Sequence, residues 1–170
     1  MPVKIIESIL PISNSRSGQR LSANRGVTMH ETGNFSKGAN AAAHNTYLHK
    51  NGGKDQYVSY HYATDDAVAY LFIPPAEKSW HAGDGATGPG NSTTVAIEIC
   101  ENPECNFPVA VDNACYIAAL ELKRMGFADV VNGMRDKANG NLFQHYSWTG
   151  KNCPQQIRAV LVPLDLVVNT

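Results

Sequence analysis

Thr94-Val95-Ala96-Ile97-Glu98-Ile99 is the segment that most narrows the folds open to this chain. It is short, rich in β-branched residues and bounded by turn-forming sequence, so it reads as a strand. Side chains alternate across a strand, which puts Val95, Ile97 and Ile99 on one face and Ala96 and Glu98 on the other. The first face needs a covering layer. Glu98 is then a carboxylate inside an otherwise apolar strand, facing away from the expected core. Gly26–His30, Tyr57–Ala63 and Ala67–Ile73 read as strands by the same criteria, with Asp65-Asp66 as a hairpin turn between the last two.

The expected helices are Ser36–Lys50, Ala110–Met125 and Pro154–Leu161. Asn34 or Ser36 can cap the first, and Gly52-Gly53 follows it. Ile117, Leu120 and Met125 give the second an apolar face, with Gly126 just beyond its end. Pro154 suits the first turn of the third, where its missing N–H removes no helix bond. Strands interleaved with dispersed helices predict an α/β fold: a single domain with a central mixed β-sheet flanked by helices. With 170 residues, a domain over residues 1–162 and a tail or linker over 163–170 are expected. A chain of this size buries roughly 70% of its unfolded surface, enough for a core without disulfides or structural metal. Residues 74–93 form a long stretch containing Gly, Pro and Ser, and an ordered loop of that length is usually functional.

Charge and motifs exclude several classes. A formal net charge of -1, with no basic run, gives no field for nucleic acid. No run of 18 apolar residues exists to span a membrane. Glu7 interrupts the apolar N-terminal residues, so no secretory core is expected there, and synthesis in the cytoplasm is. On the same ground the sequons Asn34-Phe35-Ser36 and Asn91-Ser92-Thr93 are not expected to carry sugar. Cys100, Cys105, Cys115 and Cys153 form no Cys-x-x-Cys pair, and the first three are expected as free thiols.

Two distant segments carry candidate metal ligands: His30 in Thr28-Met29-His30-Glu31-Thr32, and His145 and Cys153 in a Gly- and Pro-punctuated loop. Two imidazoles and a thiolate match the three-ligand shell of a catalytic zinc, which keeps a fourth position for water. The spacing of His145 and Cys153 is weak evidence by itself. His44 and His49 fall on the first helix and His61 on a strand, where packing roles are expected.

Five segments occur together in a telling order. They are Val27-Thr28-Met29-His30-Glu31-Thr32, Val58-Ser59-Tyr60-His61-Tyr62, Ser79-Trp80-His81-Ala82-Gly83, Asn91 through Cys100, and Gln144-His145 with Lys151-Asn152-Cys153-Pro154. In this the chain, from about Gly26 to Val160, resembles the zinc-dependent N-acetylmuramoyl-L-alanine amidases related to peptidoglycan-recognition proteins, above all phage endolysins and prophage amidases of Gram-positive bacteria.

The resemblance implies Zn2+ held by His30, His145 and Cys153, with Glu98 as general base and Lys151 stabilising the oxyanion. Tyr60 matches a position that some phage relatives use catalytically, and His81 is expected to line the cleft and to help hold substrate or oxyanion. Asn34, Phe35, Trp80 and Trp148 flank the ligands and are expected to contact substrate. The implied reaction hydrolyses the bond between the lactyl group of N-acetylmuramic acid and L-alanine. The partner is peptidoglycan, through glycan strand and peptide stem, and the enzyme is expected to be a monomer that reaches the wall after holin-type release. The alternatives are a peptidoglycan-binding module without turnover, against which Cys153, Glu98 and Lys151 argue, and a zinc amidase for soluble anhydro-muropeptides.

Overall fold

The Thr94–Ile99 strand sits in the middle of a six-stranded sheet. The computed structural model describes residues 2–51, 57–133 and 137–160. In chain order the elements are β1 (Lys4–Glu7), β2 (Gly26–Glu31), α1 (Ala41–Asn51), β3 (Tyr62–Thr64), β4 (Val68–Leu71), α2 (Pro89–Thr93), β5 (Thr94–Ile99), α3 (Phe107–Arg124), β6 (Leu142–Gln144) and α4 (Tyr146–Thr149). The sheet runs β1-β4-β3-β5-β2-β6, parallel throughout except for the antiparallel β3–β4 pair. This is the mixed sheet flanked by helices that the sequence predicts.

Both faces of the sheet are covered. Val27, Met29, Val95, Ile97 and Ile99 pack against Ala110, Ala114, Ile117, Ala118 and Leu122 of α3. The alanines at four-residue spacing form a smooth stripe on one face of that helix. On the other face Ala63 and Ala96 meet Leu48 of α1 together with Leu10, Tyr60, Phe72 and Ile73. Asp65 fixes the β3–β4 turn: its Oδ1 accepts from the N–H groups of Ala67 and Val68, each at 2.8 Å. Its Oδ2 accepts from the Ala41 N–H at 3.0 Å, tying the start of α1 to that turn.

Several boundaries move. The first helix starts at Ala41 rather than Ser36, because Gly38 is left-handed (φ 77°) and Asn40 Oδ1 caps the helix through the Ala43 N–H at 3.0 Å. Asn34 Oδ1 instead accepts from the Ser36 N–H in a local turn. The second helix begins a turn early, at Phe107, with Pro108 in its first turn, and Leu120 faces solvent while Ile117 is buried. Residues 57–60 lie off the sheet and meet the following loop, where the Ser59 N–H donates to the Trp80 carbonyl at 3.0 Å, while His61 still bonds Ala96 and Phe72 on either side. The 74–93 stretch ends in α2, which runs straight into β5. The third helix occupies residues 155–160; Leu161, Gly52-Gly53 and the 162/163 boundary lie outside the described residues. Strands β1 and β6, of four and three residues, were too short to carry a readable alternation.

Gly26 opens β2 with φ 146°, and a Cβ there would lie 1.9 Å from the Asn141 carbonyl oxygen, which accepts from the Val27 N–H at 2.8 Å. Only a glycine lets β6 approach β2 this closely. Gly26→Ala is expected to remove about 2 kcal/mol or more of stability, a fall in Tm of roughly 4–8 °C in a thermal melt. An unchanged melting curve would show that β6 can shift freely.

Candidate metal centre and its cleft

The site lies at the C-terminal ends of the parallel strands, where open α/β sheets form their crevices. In the β2–β5 register His30 stands beside Glu98, both on the face that also carries Thr28, Thr94 and Ala96. Met29 of β2 pairs with Gln144 of β6, so His145 emerges next to His30. The chain then makes α4, turns at the left-handed Gly150 (φ 78°), and returns with Cys153. The Cys153 Sγ accepts from the Glu31 N–H at 3.4 Å. Glu31 secures that return: its carboxylate accepts from the N–H groups of Gln156 at 2.8 Å and Ile157 at 3.0 Å, which open the final helix. Glu101 adds bonds to the Gly33 N–H and the Gln156 side chain.

His30, His145 and Cys153 are all buried, and one ligand atom from each lies within 4.8 Å of the others. Burial pushes the His30 imidazole well below its ordinary pKa, helped by His81, His145 and Lys151. His145 is pushed down to about 4 by burial and then by Lys151. Both rings are therefore neutral near pH 7, the form that binds metal. Burial, reinforced by Glu98, pushes the Cys153 thiol up to about 12, so without a cation it keeps its proton. A cation among these three atoms would favour the thiolate. Two imidazole nitrogens and one sulfur suit zinc.

Glu98 reaches the same point. Its Oε1 lies 3.9 Å from His30 Nδ1, and its buried Oε2 has no hydrogen-bond partner among the described residues. Burial lifts this carboxyl to about 8, against the pull of Lys151. Lys151 is exposed on the cleft wall beside these groups. Tyr60 is buried at the cleft, with its hydroxyl 2.8 Å from His44 Nδ1, and burial and Glu98 raise its pKa well above the ordinary value. His81 lines the cleft as expected, but its ring nitrogens are turned to the protein. Its Nδ1 is 2.9 Å from His30 Nε2 and its Nε2 is 3.2 Å from the Gly90 carbonyl oxygen, so both ring nitrogens are engaged inside the protein and neither is free for an oxyanion. His61 has the expected packing role: it binds the Ala96 N–H, the Ser79 hydroxyl and the Glu77 carbonyl.

The cleft beside this cluster encloses about 1190 Å³. Asn34 and Trp80 line it as expected, and the buried indole N–H of Trp80 has no partner among the described residues. Phe35, 51% exposed, is not among the lining residues. Trp148 also lies off the cleft: it packs on Phe143 with ring centroids 4.7 Å apart, donates to Thr28 Oγ1 at 3.0 Å, and has Arg25 and Lys137 over its ring. An aromatic near ligands in sequence can point either way, and this one packs against the floor of the sheet. Sequence reasoning missed the opposite wall, formed by Ala43, His44 and Tyr47 of α1 with Tyr57 and Val58. Residues 43, 44 and 47 share one helical face, a signal open to reading once α1 is correctly started.

Comparison with known proteins agrees with this geometry. The sequence profile of the N-acetylmuramoyl-L-alanine amidase family matches residues 20–156. The amidase CwlH of Bacillus subtilis is 33% identical over 155 residues, covering 91% of this chain and 57% of the relative. The amidase XlyA of the same organism is 35% identical over 156 residues, covering 91% and 48%. The chain thus spans about half the length of the curated relatives it matches. The structure of the catalytic domain of XlyA superposes with a TM-score of 0.80 at 33% identity, covering 95% of this chain and 96% of that one. The structure of PlyL does so with a TM-score of 0.71 at 25% identity, covering 94% and 90%. With the profile matched over residues 20–156, a range that spans His30 to Cys153, and the fold shared with an amidase catalytic domain, this chain belongs to the N-acetylmuramoyl-L-alanine amidase family.

Proposed function

We propose that this domain is a zinc-dependent amidase that hydrolyses the bond between the lactyl group of N-acetylmuramic acid and L-alanine in peptidoglycan. The observation that carries the reading is the convergence of Glu98 on the His30, His145 and Cys153 cluster, with one carboxylate oxygen unpartnered and turned to no other group among the described residues. His30, His145 and Cys153 would hold zinc, which when bound polarises the amide carbonyl and acidifies water. Glu98 takes a proton from the attacking water and returns it to the departing alanine nitrogen. Burial raises the proton affinity of Glu98, and a dication beside it would favour the ionised form that accepts the first proton. The Lys151 ammonium offsets charge on the amide oxygen. Tyr60, bonded to His44 on the cleft wall, is the next candidate for the base.

The substrate is the wall polymer, glycan strand and peptide stem, and Asn34 and Trp80 are its proposed contacts. The chain is proposed to work as a monomer at the cell wall after holin-type release. No helix among the described residues is long and apolar enough to cross a membrane. Residues 163–170 are proposed as tail or linker.

Chelation is expected to abolish release of peptide stems from cell walls, and added zinc to restore it. Activity that survives chelation would end the zinc reading. Wall binding without newly freed amino groups would point to a binding module, and turnover confined to soluble anhydro-fragments to the other substrate class. Glu98→Gln is expected to lower the rate by about 10²–10⁴-fold with zinc retained, and Lys151→Met by about 10²–10³-fold. Near wild-type turnover in either variant would remove that residue from its role.

Zinc binding should also release protons in a defined number. At pH 7 the metal-free protein holds a proton on Cys153 and, for the most part, one on Glu98, while both histidines are already neutral. Calorimetry in buffers of different ionisation enthalpy should therefore count about two protons per zinc at pH 7 and about one above pH 9. Glu98→Gln should give about one throughout. A count near zero at pH 7 would exclude the thiolate as a ligand.

A further inference from the structure

The segment Trp80-His81-Ala82-Gly83 lies behind both metal-facing imidazoles. The Gly90 carbonyl can only accept, and it lies 3.2 Å from His81 Nε2, so that nitrogen carries the ring proton. His81 Nδ1 is left with a lone pair and accepts from His30 Nε2–H at 2.9 Å. His30 Nδ1 is therefore bare, and it is the atom that faces Cys153 Sγ at 3.8 Å and Glu98 Oε1 at 3.9 Å. The direction of this two-bond relay is set at its far end by a carbonyl that has no proton to give. The support is rigid: the main-chain N–H groups of His81 and Ala82 both donate to Asn91 Oδ1 at 2.8 Å, and the Asn91 amide donates to the Gly85 carbonyl at 3.1 Å. At Gly83 a Cβ would stand 3.8 Å from His145 Nε2, so the segment also borders the second imidazole.

We propose that His81 is a positioning residue of the metal centre: it holds His30 as the Nε2–H tautomer and aims Nδ1 at the ion. A ligating histidine is generally oriented by the partner of its other nitrogen, and loss of such a partner weakens metal binding by about 10–100-fold. The inference rests on the proposed zinc reading for the identity of the ion only; the hydrogen-bond direction is a property of the metal-free protein.

The test uses the 170-residue chain. In metal-free protein, nitrogen-15 NMR should show protons on His30 Nε2 and His81 Nε2, with a coupling across the His30–His81 bond. A proton on His81 Nδ1 would reverse the relay and overturn the proposal. Zinc affinity, measured by competition with a fluorescent chelator, should fall by about 10–100-fold in His81→Leu. In His81→Asn, whose Oδ1 can stand where Nδ1 stood, it should largely recover. A folded His81→Leu protein that binds zinc as tightly as the wild type would overturn the proposal, and if that variant does not fold the wild-type spectrum decides. Failure of the wild type to bind zinc would strike the proposed function, and the spectrum would still judge His81.

Discussion

The in-register parallel pairing of β2 with β5 is the constraint on which the rest of the structure depends. It sets His30 against Glu98 at the end of the sheet, on the face that opens into the cleft. A slip of one residue would turn Glu98 to the α3 side and bury an unpaired carboxylate in an apolar layer. The opposite face prevents that slip. Val27, Met29, Val95, Ile97 and Ile99 all meet α3, and a one-residue slip would turn one strand's set away from it. The same apolar packing that stabilises the domain therefore also aligns the reactive groups.

Burial shapes the chemistry of those groups in one direction. It keeps His30 and His145 neutral, Cys153 a thiol and Glu98 largely protonated, so the metal-free cluster minimises its own charge. Such a cluster is receptive to a dication, whose charge would draw off the protons that burial retains. Glu31 and Glu101 occupy the next ring outward and face a different task. They accept main-chain and side-chain N–H groups from Gly33, Gln156 and Ile157, and so fasten the two loops that bring Cys153 under β2. Three carboxylates near one site thus divide into one with a free oxygen and two used as fasteners.

Much of this was legible in the chain itself. The β5 pattern forecast its two faces, and Asp65 forecast the turn that it closes. The ligand trio and Glu98 came from motif order, since no spacing argument links His30 to Cys153 across most of the chain. The start of α1 differs from expectation because Asn34 and Ser36 look like caps as good as Asn40, and the positive φ at Gly38 decides between them. Trp148 and Phe35 also part from expectation: one packs on Phe143 and Thr28, and the other is half exposed outside the cleft lining. Proximity in sequence to a ligand does not say whether an aromatic ring turns into the cleft or packs beside it.

By itself the sequence determined the alternation that makes β5 a buried strand, the residue types able to bind a soft divalent ion, and the family. Those follow from local chemistry and order along the chain, which need no coordinates. Only the tertiary structure decided that both ring nitrogens of His81 are engaged, one of them by His30, and that the far wall is Ala43, His44 and Tyr47. It also decided that one oxygen of Glu98 is left without a partner among the described residues. The reason is physical: which nitrogen of a ring is occupied, and which oxygen is left over, depends on neighbours supplied by strands and loops far away in the chain.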